Sequence, residues 1–177
     1  MREVARVPTV GLPTARRDRE GYAAVFAAHR VPVLRFAYLL VGNQHVAEEV
    51  TAEAFARVWP HWRAGRVEDE RTYLRKAVVN EVRSRWRRRA LERREEERRR
   101  RDPEAGGEES RGAEHDRIVR ALATLPEEQR AVVVLRFLED LSLNETAAVL
   151  GLRTGTVKSK SARALERLRA ALVEEDR

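Results

Sequence analysis

Apolar residues recur at helical spacing along most of this chain. From Tyr22 the run Val25, Phe26, Val33, Leu34, Phe36, Ala37, Leu40 and Val41 predicts a helix that Gly42 ends. Pro32 lies inside it and lacks a backbone donor, so a kink or break is expected there. Asn43 is placed to cap a second helix, carrying Val46, Val50, Phe55, Val58 and Trp59 and stopping near Pro60. Residues 63–69 read as a short loop. Asp69 can cap a third helix holding Tyr73, Leu74, Ala77, Val78 and Val82, which runs into an arginine-rich tract. The period resumes at Ile118, Leu122 and Leu125, with Pro126 at a first-turn position. A further helix takes in Val132, Val133, Leu135, Arg136, Phe137 and Leu138.

The last third is the most specific. Ser142 and Glu145 have capping-box spacing ahead of Leu143, Thr146, Ala147 and Leu150. Gly151 supplies a left-handed turn residue. Thr154 is then read as the cap of a helix whose inner face is Val157, Ala164, Leu165, Leu168 and Ala171. Lys158, Ser159, Lys160 and Arg163 are left to face outward. This is a helix-turn-helix with a basic recognition helix, an arrangement that places the start of the second helix in a DNA major groove.

Strand formers are sparse, so the expected fold is all-α, with two small helical domains joined by a flexible linker. Residues 1–19, with Pro8, Gly11 and Pro13 and no period, read as a disordered extension. Residues 20–92 form the first module. Residues 93–112 form a charged linker, and 113–177 the second module. Within this linker region, the tract from Glu92 to Arg101 has no apolar face and admits either a solvated helix or loose chain. Asp102 to Gly112 is polar and Gly-rich. Fully extended, residues 93–112 reach roughly 65–70 Å. Major-groove sites two turns apart are separated by about 70 Å.

Charge sharpens this picture. The 177 residues carry a formal net charge of +7. Residues 83–101 alone hold eleven Arg and four Glu, which is also +7, so the rest of the chain sums to zero. A second basic patch, Arg153 to Ala171, has Glu166 as its single acidic residue. A sequence pI of about 10.6 points to a polyanionic partner. The chain has no cysteine, which excludes disulfides, thiolate chemistry and Cys-based zinc sites. No secretory signal is apparent, and no run approaches the length of a membrane span, so a cytoplasmic protein without membrane insertion is expected.

Two surfaces in the first module carry candidate chemistry. Glu48, Glu49 and Glu53 form an acidic strip beside Phe55 and Trp59, a face suited to a protein partner. Asn80, Arg83, Ser84, Arg87 and Arg88 can line one face of the third helix, with Trp86 and Tyr73 as flat aromatic surfaces. Arginine with aromatics is the equipment for unpaired bases. Other motifs carry less. Gly151-x-x-x-Gly155-x-x-Lys158-Ser159 has the wrong spacing for a phosphate loop. His45 with Glu48 and Glu49 lacks a second His, so no metal site is expected, and no cofactor. No nucleophile–base or paired-carboxylate constellation stands out, so no enzyme is expected.

These segments, in this order, resemble a sigma factor of the sigma-70 family, in the small extracytoplasmic-function group that keeps only regions 2 and 4. VAEEVTAEAFARVW resembles the core-binding motif of region 2. TYLRKAVVNEVRSRWRRR resembles the part that melts and reads the −10 element. LPEEQRAVVVLRFLEDLSLNETAAVLGLRTGTVKSKSARALERLR resembles region 4, which reads the −35 element. The resemblance implies that Glu48, Glu49, Glu53, Phe55 and Trp59 meet the β′ clamp helices of core RNA polymerase. It implies that Asn80 and Ser84, with the loop Arg63 to Asp69, hold a flipped base of the −10 element, and that Arg83, Arg85 and Arg87 hold the strand backbone. Arg153, Thr156, Lys158, Ser159 and Arg163 are implied to contact −35 DNA. The partners it implies are core polymerase (clamp helices and β flap) and promoter DNA, and it admits an anti-sigma factor. Ala52 stands where the family usually has Gln, Thr146 where Ile is common, and Lys160 for a frequent Arg.

The competing reading is a stand-alone helix-turn-helix regulator, which binds operators without polymerase. An enzyme acting on nucleic acid would need clustered carboxylates beside the basic patches, and the Glu residues there are spaced as salt-bridge partners.

Overall fold

A computed structural model of the chain describes residues 17–99 and 113–175. The expected N-terminal extension, up to residue 16, and residues 100–112 of the expected linker lie outside the described residues.

The elements are α1 (Arg19–Val41), α2 (Gln44–Arg63), α3 (Glu70–Arg99), α4 (Ala113–Ala123), α5 (Glu127–Val133), a π-helical turn (Val134–Leu138), α6 (Leu143–Leu150) and α7 (Thr154–Glu175). Among the described residues there is no strand, as an all-α fold requires.

Local chemistry sets most helix ends. The Asp18 carboxylate accepts from Gly21 N–H and starts α1. Gly42 closes it in the left-handed region, at φ 72°, with its N–H on Tyr38 C=O. Asn43 Oδ1 accepts from Val46 N–H at 3.0 Å and starts α2. Asp69 accepts from Thr72 N–H and Thr72 Oγ1 at the head of α3. Those two bonds hold its carboxyl below the usual aspartate range.

Neither Pro32 nor Pro60 ends its helix. α1 runs through Pro32, and α2 passes Pro60 to end at Arg63. Ala28 and Pro32 are both exposed, so the carbonyl deprived of its helical partner faces solvent and the loss is confined to one bond. Past Pro60, Trp62 is buried and its Nε1–H donates to Glu70 Oε1 at 3.2 Å, which holds the last turn of α2 in place. α3 is helical to Arg99, so residues 93–99 of the expected linker continue the helix. The expected helix after Pro126 is α5 followed by a π-helical turn rather than one α-helix. α7 begins at Thr154, with Val157 N–H bonding Arg153 C=O, so Thr154 is the first helical residue and not the cap.

α1 bears on the expectation that nothing spans a membrane. Its best 18-residue window averages a hydropathy of 1.4, so by length and composition it is apolar enough to cross a membrane. His29, Arg30 and Arg35 interrupt its apolar residues, which hid this from a count of consecutive ones. In the fold its C-terminal half is core: Val33, Phe36, Ala37, Tyr38, Leu39 and Leu40 are buried.

α1, α2 and α3 pack around Phe36, Leu40, Val50, Val58, Leu74, Val78 and Val82. α5, α6 and α7 pack around Val132, Leu135, Leu150, Val157 and Ala164. The two halves share one continuous apolar core, because the C-terminal half seats on α1 and α3.

Candidate nucleic-acid interface

The helix-turn-helix forms as the residues dictate. Ser142 Oγ accepts from Glu145 N–H at 3.2 Å, and Glu145 Oε2 accepts from Ser142 N–H at 2.8 Å. These reciprocal bonds hold the Glu145 carboxyl below its usual range. Gly151 takes φ 62° and ends α6, with its N–H on Ala147 C=O. Thr146 is fully buried and its hydroxyl has no hydrogen-bond partner. Val157 and Ala164 are buried, whereas Arg153, Lys158, Ser159 and Arg163 are exposed and Thr156 half-buried. The first turns of α7 therefore present a polar and cationic surface. Lys160 departs from the expected outward set: its ammonium donates to Glu128 Oε2 at 2.6 Å. That bond leads the causes that hold the Glu128 carboxyl below its usual range, with Arg83 adding to it.

On α3, Asn80 and Arg87 are exposed, and Arg83, Ser84 and Arg85 are half-buried. Trp86 is buried, so its ring is core and not a stacking platform. Tyr73 is half-buried and lies 5.7 Å from the His61 ring. Arg83 Nη1 donates to Leu150 C=O at 2.6 Å, and its Nη2 lies 3.5 Å from Glu128 Oε1. In the loop after α2, Gly65 takes φ 74° and Val67 is buried.

On α2, Glu48, Glu49 and Glu53 are exposed and Trp59 half-buried, but Phe55 is only 3% exposed. Phe55 packs against Phe26 and Tyr22, with ring centroids 4.8 and 6.3 Å away. The surface aromatic beside it is Phe26, from α1, which helical spacing assigned to the core face. Tyr22 donates to Phe55 C=O at 2.6 Å, and burial pushes its phenol up to about 12.

The acidic strip and the arginine face touch. Arg85 Nη1 lies 2.6 Å from Glu49 Oε2, and its Nε lies 3.1 Å from Glu81 Oε1. The Arg85 hydrogen bond leads the causes that lower the Glu49 pKa. Glu81, buried, also meets Arg57 Nη2 at 2.9 Å and Arg88 Nη2 at 3.7 Å. Arg57 in turn meets Glu53 at 3.1 Å. Three carboxylates thus face three guanidinium groups. The spacings Glu53/Arg57 and Glu81/Arg85 were legible as i, i+4 pairs. The hub role of Glu81 was not, because it depends on how α2 crosses α3.

The π-helical turn presents Phe137 and Leu138 to solvent, 45% and 42% exposed, with Arg136 over the Phe137 ring at 5.7 Å. Sequence spacing had placed both in a continuous helix. Among the described residues, no group of His, Asp and Glu is arranged to hold a metal ion.

Comparison with known proteins fits this geometry. The Sigma-70 region 2 family model matches residues 25–92, and the Sigma-70, region 4 model matches residues 121–170. The chain is 39% identical over 147 residues to the RNA polymerase sigma-E factor of Streptomyces coelicolor, covering 81% of each. It is 25% identical to the ECF RNA polymerase sigma factor SigW of Bacillus subtilis, over 88% of this chain and 90% of that one. The fold is similar to the sigma factor RpoE from Bartonella quintana, solved with the anti-sigma factor NepR. The TM-score is 0.68 at 24% identity, over 89% of this chain and 99% of that one.

Proposed function

The chain belongs to the sigma-70 family of RNA polymerase sigma factors, and from that premise we propose how its residues divide the work of promoter-specific initiation. The observation that carries this reading is the exposed, basic start of α7 behind a capped α6 and a left-handed Gly151, in a segment matched by region 4. Residues 20–92 act as the region 2 module and residues 113–177 as the region 4 module.

Arg153, Thr156, Lys158, Ser159 and Arg163 enter the major groove of the −35 element. Lys158 and Arg163 have the reach and donors for guanine O6 and N7, and Arg153 neutralises phosphate. Asn80, exposed on α3, offers donor and acceptor to the edge of a flipped −10 base, beside Ser84 and the loop 63–69. Flipping costs a few kcal/mol, roughly what one or two good hydrogen bonds to a captured base return. Arg83, Arg85 and Arg87 hold the strand backbone. Trp86 supports α3 from beneath.

Glu48, Glu49 and Glu53, with Trp59 and the edge of Phe26, dock on the β′ clamp helices of core polymerase. Phe55 serves that surface from behind by fixing Phe26 and Tyr22. Phe137 and Leu138 suit the β flap, since they form an exposed apolar pair in the region 4 module. This chain positions and melts DNA in the cytoplasm, and polymerase makes the bonds. An anti-sigma factor is a further partner, as for the RpoE neighbour.

The test is run-off transcription from a fragmented genomic library with purified core polymerase, with and without the protein. New, discrete start sites that depend on it are expected. Unchanged transcription, with the protein alone retarding specific fragments, overturns this reading in favour of a stand-alone regulator.

A further inference from the structure

Arg17 and Asp18 fall in the extension that, by sequence, carries no helical period. In the fold both are tied down. Asp18 caps α1. Arg17 bonds across 45 residues of chain to the end of α2, where its Nη1 donates to Trp62 C=O at 2.7 Å. The same guanidinium lies over the Trp62 ring, with Cζ 5.7 Å from the centroid. It also covers Gly65, where a Cβ would stand 3.9 Å from Arg17 Nε and Cζ.

These contacts converge on the loop 63–69. Trp62 leads into it, and its C=O accepts from Gly65 N–H at 3.0 Å as well as from Arg17. Arg66 N–H donates to His61 C=O at 3.0 Å. The Trp62 Nε1–H bond to Glu70 joins the two ends of the loop. Trp62 and Val67 are buried and anchor it to the core. Between them Ala64, Gly65 and Arg66 are exposed, and Gly65 makes the reversal at φ 74°. Arg17 is the side chain that lies across this exposed turn. A guanidinium suits the place, because its flat face covers the indole while an edge N–H bonds the carbonyl. Trp62 is 1% exposed, so both contacts are made to a partner that burial holds still.

We propose that Arg17 is a positioning residue for −10 recognition: it braces the turn at Gly65 in the shape that admits a flipped base, and raises discrimination for that base without contacting DNA. The proposal rests on the assignment of the loop 63–69 to the flipped base. An unbraced turn spends less time in the competent shape, and apparent affinity falls by that fraction. The loss applies only to strands that use the loop. A strand with no base to capture is held by the backbone contacts of α3 and does not sense Arg17.

The test uses the full chain assembled with core polymerase. Run-off start sites from the wild type give the −10 sequence. A labelled single strand of that sequence is then bound, together with a set in which each −10 position in turn is abasic. The wild type should lose affinity at the flipped position, and the ratio of intact to abasic affinity there measures base capture. In Arg17→Ala this ratio should fall about tenfold, as for a competent fraction cut to about a tenth, with the salt dependence unchanged. Arg17→Lys keeps a cation and a donor but not the flat fork, and should fall between the two. A general loss of stability lowers both affinities alike and leaves the ratio where it was. Circular dichroism checks that Arg17→Ala is folded; if it is not, Arg17→Lys carries the test with the same readout. An unchanged ratio in the folded variant overturns the proposal. So does an equal loss for intact and abasic strands with a salt slope lower by about 0.7, which marks Arg17 as a phosphate contact. A wild type that initiates but has no position where the base matters refutes the flipped-base assignment of the loop, and one that never initiates refutes the sigma assignment. Either takes the bracing role with it, whereas a changed wild-type ratio at no other cost than Arg17 isolates the brace.

Discussion

Replacing Thr146 by Val should stabilise the protein. Thr146 is 0% exposed and its hydroxyl has no hydrogen-bond partner. Leaving a hydroxyl unpaired in a protein interior costs about 1–3 kcal/mol. Valine keeps the β-branched shape and exchanges that hydroxyl for a methyl of similar size, so no cavity opens and the rotamer is retained. The backbone N–H of residue 146 bonds Ser142 C=O whatever the side chain, so the capping box is untouched. The expected gain is therefore about 1–2 kcal/mol. For a chain of this size that raises Tm by about 2–8 °C, at roughly 2–4 °C per kcal/mol. Thr146→Ile adds a further methylene. It gains further only if the core beneath α6 accepts the volume, because overpacking costs about 1–3 kcal/mol. The assay is urea unfolding followed by circular dichroism, with equal m-values required for comparison. A Thr146→Val protein less stable than wild type would refute the reasoning, since the hydroxyl must then be bonded. Affinity for −35 duplex should not change, because position 146 faces inward.

Spectrophotometric titration should find one tyrosine ionising near pH 12, and Tyr22→Phe should remove that step. The raised pKa favours the neutral phenol in the folded state. Its contribution is thus complete below pH about 10 and lost as pH rises towards the folded value. A phenol at residue 22 that titrates near pH 10 would contradict its burial. Asn43→Ala should cost about 1 kcal/mol through loss of the Val46 N–H bond; an unchanged midpoint in thermal unfolding would show that water replaces the cap. Lys158→Ala or Arg163→Ala should weaken −35 duplex binding, measured by fluorescence anisotropy across a salt series. Loss of a phosphate contact lowers the slope of log K against log salt by about 0.9 per phosphate, whereas loss of a base contact relaxes specificity at one position by about 1–3 kcal/mol. If neither variant changes affinity or slope, the start of α7 does not meet DNA.

What the sequence determined by itself lies within a few residues along the chain. The caps at Asn43, Asp69 and Ser142, the left-handed Gly42 and Gly151, and the inward face of α6 and α7 all depend on bonds or side-chain positions one turn apart. Such interactions are fixed once helical geometry is, so reading residue types at set spacings recovers them. The candidate interface was legible to the same extent. The exposed Lys158, Ser159 and Arg163 follow from period alone, as do Asn80 and the acid strip on α2.

The rest was decided by packing. Helical period says that Phe55 and Trp86 lie near an apolar face, but the crossing of α1 and α2 decides that Phe55 is buried and Phe26 left outside, and the C-terminal half, through Ala131, Leu150 and Leu152, lies over Trp86. Pro32 and Pro60 look like breaks locally. They are tolerated because Ala28 lies in solvent and Trp62 is anchored by Glu70, and burial outweighs one missing bond. The pairing of Arg75 with Glu139 and of Arg83 with Leu150 joins positions 64 and 67 residues apart. No spacing rule reaches that far, since which charges meet there depends on how the C-terminal half seats on α3. Helix positions are therefore written in local sequence. Which arginines are free for DNA, and which are held by the chain's own carboxylates, is a property of the tertiary fold.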